Sequence, residues 1–559
     1  MSFALERAQT QLRTVFGLSA FRPGQEAVVA ALLDGRSALA VFPTGGGKSL
    51  CYQLPALLLD GLTLVVSPLI ALMKDQVDHL QGLGIDAERL DSTRTAEDVK
   101  SIYGRMASGS LKLLYVAPER LGNAGFRARL GRTRIALLAV DEAHCISEWG
   151  HNFRPDYLKL ADAVRELAIP QVLALTATAT PSVSRDICRA FSVSPEDHVQ
   201  TGFLRPNLTL RVDRCAADAR TERLKSLLAE TPGPTIVYVT LQKDAERVAL
   251  ALSTSGTRAA AYHAGMKPDV RAAVQDAFMA DRLRVVVATI AFGMGIDKAD
   301  IRAVVHHNLP KSLEGYSQQV GRAGRDGLPS LCVLLACADD LVVLQNFTYG
   351  DTPSEAAIRG LVGALVSGAD VFSVSRYHLS RTHDLRPLVV STALTYLELD
   401  GVLEPTGPFY DTVKLSFVRS QAEVVAAFSG ERRAFIERLF GAGRPGRTWL
   451  SIDVTAAAEA TGDGLPRIQR ALRWLEEQGW VKSKPSGLRH GYRRPDVVDA
   501  DAVVHSLMVR FEVREASDLG RTDQMRRFAE HGGCLTHLLV AHFGEVIDGG
   551  CGHCGPCLG

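Results

Sequence analysis

The chain has 559 residues, 46% hydrophobic and 22% charged, with a net charge of +1. That length exceeds what one hydrophobic core fills and predicts about three to four domains. The near-neutral charge excludes a global field for nucleic acid, so any such contact must rest on local patches.

Residues 1–34 read as helices carrying Arg22 and Gln25. A strand from Ser37 to Phe42 then meets Pro43-Thr44-Gly45-Gly46-Gly47-Lys48-Ser49, and an apolar helix begins. Strand, glycine loop and helix are the context of a P-loop, whose backbone N–H groups wrap phosphate oxygens. Lys48 would reach the β- and γ-phosphates and Ser49 would bind Mg²⁺. Further strands follow at α/β spacing: Leu62–Ser67, Leu111–Val116, Arg134–Val140 and Gln171–Thr176. Each ends in small or polar residues, and hydroxyls such as Ser67 at successive strand ends suit a phosphate chain crossing the sheet edge.

The strand Arg134–Val140 ends in Asp141 and Glu142, where open α/β sheets place their ligand sites. Asp141 suits Mg²⁺ held through water, and Glu142 suits orienting or deprotonating a water that attacks a γ-phosphate. Trp149, His151, Phe153 and Arg154 follow at once, as groups on which single-stranded bases stack. A second α/β run has strands at 234–239, 258–262, 283–288, 303–307 and 330–335, with no P-loop of its own. Its glycine-rich segment Gly321 to Gly327 carries Arg322 and Arg325, placed to neutralise charge on a phosphate bound to the first lobe.

These ordered motifs resemble superfamily 2 helicases, and within them the RecQ family. The Gln25 segment is similar to motif 0, Gly45–Ser49 to motif I, Asp141–His144 to the DEAH motif, and Thr176–Thr180 to motif III. Thr289–Asp297 is similar to motif V and Gln318–Arg325 to motif VI, while Trp149–Arg154 resembles the aromatic-rich loop of RecQ proteins. The resemblance implies two RecA-like lobes, ATP hydrolysis between them, and 3′→5′ movement on single-stranded DNA. It implies that Gln25 reads adenine with Arg22 stacked on it, that His144 and Asp297 belong to the ATP and Mg²⁺ site, and that Thr289 touches DNA.

Near the C-terminus Cys534, Cys551, Cys554 and Cys557 are spaced Cys-x16-Cys-x2-Cys-x2-Cys, the pattern of a closed structural Zn²⁺ site. The N-terminus lacks a signal-peptide pattern, and ten cysteines make no disulfide scaffold in a chain this long. A cytoplasmic protein is expected, nucleoid-associated in a bacterium, with no membrane contact. Between the second lobe and the cysteines, His383–Leu399 reads as a helix and 401–415 as a hairpin with Phe409 and Tyr410 near its tip. Two helices, 452–460 and 464–478, then precede a second hairpin, 479–494. That hairpin carries Lys482, Lys484, Arg489, Arg493 and Arg494, with Tyr492 among them, and no acid. It is the expected duplex contact, and the Phe409–Tyr410 pair suits a strand-separating wedge.

The expected fold is therefore α/β: two RecA-like parallel-sheet lobes in tandem, winged-helix-like segments, and a small helical zinc-binding module. The expected boundaries are 1–203 and 204–350 for the lobes, 351–425 and 426–505 for the winged helices, and 506–559 for the zinc module. The expected function is an ATP-dependent 3′→5′ DNA helicase acting as a monomer on single strands and junctions, in DNA repair or recombination. Three alternatives remain: a DNA-stimulated ATPase, translocase or annealing protein that unwinds weakly, a winged-helix DNA-binding regulator without catalysis, and an RNA-unwinding enzyme, since superfamily 2 lobes hold nucleic-acid backbones.

Overall fold

The computed structural model describes residues 3–91, 93–147, 153–293, 296–367, 370–495 and 498–559. The first lobe has strands β1 (Ala38–Val41), β2 (Leu62–Val66), β3 (Ala87–Leu90), β4 (Leu113–Val116), β5 (Ile135–Val140), β6 (Val172–Thr176) and β7 (His198–Gln200). They form one parallel sheet in the order β3-β4-β2-β5-β6-β1-β7. The second lobe has β8 (Leu208–Arg214), β9 (Thr235–Tyr238), β10 (Ala259–Tyr262), β11 (Val285–Ala288), β12 (Ala303–His306) and β13 (Ser330–Ala336), parallel in the order β10-β11-β9-β12-β13-β8. The inner strands are continuous apolar runs because helices cover both faces of each sheet. The first lobe's core accordingly divides into two apolar layers, one holding Leu64, Leu138 and Val140, the other Val65, Leu137 and Ala139.

The accessory region corrects the expected hairpins. Strands β14 (Val371–Val374), β15 (Glu404–Phe417), β16 (Arg444–Pro445), β17 (Leu450–Asp453) and β18 (Val481–Arg493) form one antiparallel sheet, ordered β14-β18-β15-β17-β16. Neither 401–415 nor 479–494 turns back on itself. Each is a single long strand, and the two pair with one another from Glu404 opposite Arg493 to Phe417 opposite Val481. The Pro405–Pro408 stretch that signals a turn is instead an irregularity in the ribbon, with Gly407 at φ +106°. Proline and glycine mark strand bulges as well as turns, and the partner that decides between them lies more than eighty residues away.

Each end of this ribbon closes a separate core. At one end the helices Glu355–Val366, Arg376–Thr382 and Pro387–Leu399 pack with β14 around Leu361, Val390, Leu394 and Tyr492. At the other, Gly430–Gly441, Val454–Thr461 and Leu465–Glu477 pack around Leu415, Phe440, Ile452 and Leu475. The second winged-helix-like unit is thus carried within the elongated wing of the first. A 31-residue helix, Ala500–Glu530, then runs from the first of these cores, through Val504, Leu507 and Phe511, to the lobes, where Met525 and Phe528 are buried. At about 1.5 Å per residue it bridges roughly 45 Å. It returns the cysteine module, remote in sequence, to the junction of the two lobes.

Candidate nucleotide, nucleic-acid and metal sites

The P-loop follows β1. Gly47 holds φ +75°, and a Cβ there would lie 2.5 Å from Gln25 Nε2, so glycine lets the loop close against the Gln25 helix. The Gln25 Nε2 donates to Gly47 O at 2.9 Å, its Oε1 accepts from Arg22 N at 2.8 Å, and Arg22 Nη1 donates to Gly45 O. Both residues expected around adenine therefore also brace the phosphate loop. Lys48 Nζ donates to Phe42 O at 3.2 Å. Burial lowers its pKa, opposed by the nearby Glu142 and Asp141 carboxylates.

At the end of β5, Asp141 accepts from Ser67 Oγ at 3.1 Å and from Glu142 N at 3.0 Å. Burial and the neighbouring Glu142 push its carboxyl up to about 7. Two adjacent carboxylates held out of water are a set that a divalent cation would neutralise. Glu142 adopts φ +51°, a left-handed conformation uncommon outside glycine, and this sharp turn brings both acids to the sheet edge. Burial also raises the Glu142 carboxyl, while Lys48, Arg322 and Arg154 oppose the rise. Its Oε2 is buried and makes no hydrogen bond among the described residues, with the His144 ring as its near neighbour, as suits an oxygen that orients a water. His144 Nδ1 lies 2.8 Å from Thr176 Oγ1 and 3.3 Å from Glu142 Oε2. Burial pushes this imidazole down to about 3, so it is neutral and joins the acidic turn to the end of β6.

From the second lobe, Arg322 donates to Gly293 O, and Arg325 Nη1 to Ile296 O at 2.8 Å and Asp297 Oδ1 at 2.9 Å. Asp297 thus meets Arg325. The Arg325 side chain passes 3.7 Å from where a Cβ on Gly45 would sit. Lys48, Asp141, Glu142, His144, Arg322 and Arg325 are therefore brought together from two lobes. A cleft of about 700 Å³ opens beside them, lined by Glu142, Arg154, Thr289, Asn308, Lys311 and Arg322 among others.

Several expected nucleic-acid contacts have other partners. Ser67 is buried and holds Asp141. Phe153 is only 7% exposed, sits in the first winged-helix core, and lies under the Arg514 guanidinium at 4.6 Å. Tyr492 is buried and donates to Glu398 Oε1 at 3.1 Å. Arg489 donates to Ser373 Oγ and O, and Arg494 to Val366 O and Asp370, so both tie the ribbon to β14 and its preceding helix. These ribbon positions read as surface because a hairpin would expose them; pairing of β18 between two other strands buries Tyr492 and gives Arg489 its partner on β14. Lys482, Lys484 and Arg493 are exposed. The Phe409 backbone pairs with Arg489 in mid-ribbon, away from any tip. Trp149 and His151 lie outside the described residues. Sequence reasoning missed Tyr157, whose hydroxyl donates to Asp141 O at 2.9 Å; no periodicity or motif spacing marks it.

The four cysteine sulfurs lie within 4.8 Å of one another. Cys554 Sγ is 3.8 Å from Cys534 Sγ, close to the ~3.8 Å edge of a tetrahedron with ~2.3 Å metal–sulfur bonds. Backbone N–H groups of His537, Cys551, His553 and Cys554 point at Cys534 and Cys551 sulfurs, as thiolates require. The module touches both lobes. Gln200 donates to Phe543 O, Phe203 stacks on Phe543 at 4.3 Å, Glu545 accepts from Phe203 N, and His553 Nδ1 lies 3.0 Å from Leu208 O.

A P-loop on one RecA-like lobe, met by arginines from a second, is the layout of a DEAD/DEAH-type P-loop NTPase. The DEAD/DEAH box helicase family model matches residues 22–187, and the helicase conserved C-terminal domain model matches 219–327. An ATP-dependent DNA helicase RecQ of Bacillus subtilis is 46% identical over 355 residues, covering 63% of this chain and 59% of that protein. The RecQ of Haemophilus influenzae is 45% identical over 339 residues, covering 61% and 55%. A probable ATP-dependent DNA helicase RecS of Bacillus subtilis is 38% identical over 364 residues, covering 65% of this chain and 73% of that protein. Among solved structures, the DUF1998 helicase MrfA bound to DNA shares the fold, with a TM-score of 0.51 at 19% identity, over 73% of this chain and 62% of that one. The chain belongs to the RecQ family of superfamily 2 helicases. It spans between half and three-fifths of the length of the first two relatives. Among the described residues no helix is long and apolar enough to cross a membrane.

Proposed function

We propose that the protein is an ATP-dependent 3′→5′ DNA helicase of RecQ type. One observation carries the reading: Glu142 and Lys48 of the first lobe lie close to Arg322 and Arg325 of the second, beside a cleft lined by Glu142 and Arg322. ATP is the substrate, and Mg²⁺ would supply charge neutralisation at its phosphates. Lys48 and the P-loop amides would hold the β- and γ-phosphates, Asp141 and Ser49 would hold the cation, and Glu142 would orient the attacking water. Arg322 and Arg325 stabilise transition-state charge from the other lobe, so hydrolysis is linked to lobe closure. Single-stranded DNA lies across the cleft, and Arg154 and Thr289 contact it there. The four cysteine thiolates would hold Zn²⁺, which would fix the module in which they lie. A monomer acting in the cytoplasm on single strands and junctions, in repair or recombination, completes this reading.

A second reading, a translocase that separates strands poorly, is favoured by the mid-ribbon place of Phe409, which leaves the expected wedge without a tip. Strand separation on 3′-tailed, 5′-tailed and blunt duplexes, with ATP turnover measured alongside, decides between them. Separation of the 3′-tailed duplex alone is the helicase outcome. Turnover without separation establishes the translocase, and turnover indifferent to DNA refutes both.

A further inference from the structure

The ribbon register creates a surface on the second winged-helix unit that the linear order of residues does not display. Side chains alternate along a strand. Leu415, Leu450, Ile452 and Val481 point into that unit's core, so their neighbours face away from its helices. Across four strands the register aligns Arg444 with Ser451, Ser451 with Lys414, and Lys414 with Lys484. Three strand spacings of about 4.8 Å make this row roughly 14 Å long. The adjacent row adds Ser416 opposite Lys482, and Thr412 opposite Ser486 lies on the other side.

Arg444, Lys414, Lys482 and Lys484 are exposed, and none has an ion-pair partner among the described residues. Like charges directly opposite each other destabilise an antiparallel pair, yet Lys414 and Lys484 stand opposite. The one acid bordering these rows, Asp453, caps the helix that follows, its Oδ1 accepting from Thr455 N at 3.0 Å and Ala456 N at 2.9 Å. Cations interleaved with hydroxyls, without an opposing acid, are a phosphate-contacting set.

We propose that this open sheet face binds the phosphate backbone of duplex DNA. The proposal rests on the reading of the protein as one that acts on DNA, and it adds Lys414 and Arg444 to Lys482 and Lys484. The three rows carry cations and hydroxyls, which suit backbone phosphates; Tyr410, 45% exposed, lies one row beyond Thr412 on the same face and is where an unpaired base would stack, so a single strand is measured beside the duplex. The face lies on the opposite side of the sheet from the helix Leu465–Glu477, whose Ile468, Leu472 and Leu475 fill the core. It is therefore separate from the helix surface a winged helix ordinarily lays in a groove.

The test compares the full chain with its Lys414→Ser/Lys484→Ser/Arg444→Ser variant, using a blunt fluorescent duplex titrated at several salt concentrations. Each lost phosphate contact lowers the slope of log K against log[salt] by about 0.9. Three contacts predict that the unaltered protein loses about 40-fold more affinity than the variant between about 50 and 200 mM salt. Replacing Lys414 and Lys484 by arginine should retain the original slope. Stimulation of ATP turnover by a single strand is read in parallel. An unchanged duplex slope with that stimulation intact overturns the face alone, and equal weakening on a single strand overturns the duplex assignment. No stimulation in the unaltered protein overturns the helicase reading beneath it.

Discussion

Phe153→Ala is the most informative perturbation because Phe153 joins the catalytic lobe to a distant domain. Its ring is buried with Leu361, Val390, Leu507 and Phe511, below Arg514, eleven residues beyond Glu142 in the chain. Phe→Ala in a packed core costs about 3–5 kcal/mol, and a cation–π contact about 0.5–2 kcal/mol where partly desolvated. The ion pair of Lys159 with Glu398 at 2.5 Å and the packing of Leu158 remain, so docking weakens while both units stay folded. A loss near 3 kcal/mol raises the undocked population about a hundredfold. Hydrogen exchange in residues 153–160 and in the helix Pro387–Leu399 should accelerate accordingly, and DNA should stimulate ATP turnover less at unchanged basal turnover. Arg514→Ala should reproduce part of this, and the double variant should fall short of the sum, since the two contacts share one ring. Unchanged exchange in both segments would refute the idea that Phe153 docks the winged helix.

Lys48→Ala should abolish ATP turnover, with or without DNA; persistence at the original rate would remove the P-loop from the mechanism. His306 and His307 are both pushed down to about 4, chiefly by burial. Their neutral forms stabilise the folded state fully above the unfolded value near 6.5, and this is lost as pH falls toward 4, at about 2 kcal/mol each by pH 5. Stability should fall across that window, and His306→Gln, which keeps a donor for Gln319 Oε1, should flatten the fall by about half in denaturant titrations at each pH. Cys551→Ser should release zinc, measured by chelator dye, and speed proteolysis of the module; one zinc retained per chain would remove Cys551 from the ligand set.

The local sequence determined the two lobes and most of the proposed catalytic set. Fully buried parallel strands are continuous apolar runs, and phosphate chemistry needs glycines, a lysine, carboxylates and arginines at characteristic spacing, so Lys48, Asp141, Glu142, Arg322 and Arg325 were identifiable without coordinates. The cysteine spacing likewise announced a four-sulfur cluster able to hold a metal ion. Only tertiary structure decided the rest. Pairing of β15 with β18 depends on strands separated by two helical pairs, and turn residues such as Gly407 are compatible with either a hairpin or a bulged strand. That long-range choice buries Tyr492 and engages Arg489, while aligning Lys414 with Lys484 and Arg444 on an open face. It also places Phe153 within an accessory core and brings the cysteine module back to the lobe junction. Local periodicity records which face of an element is buried; it carries no information about which distant element does the burying.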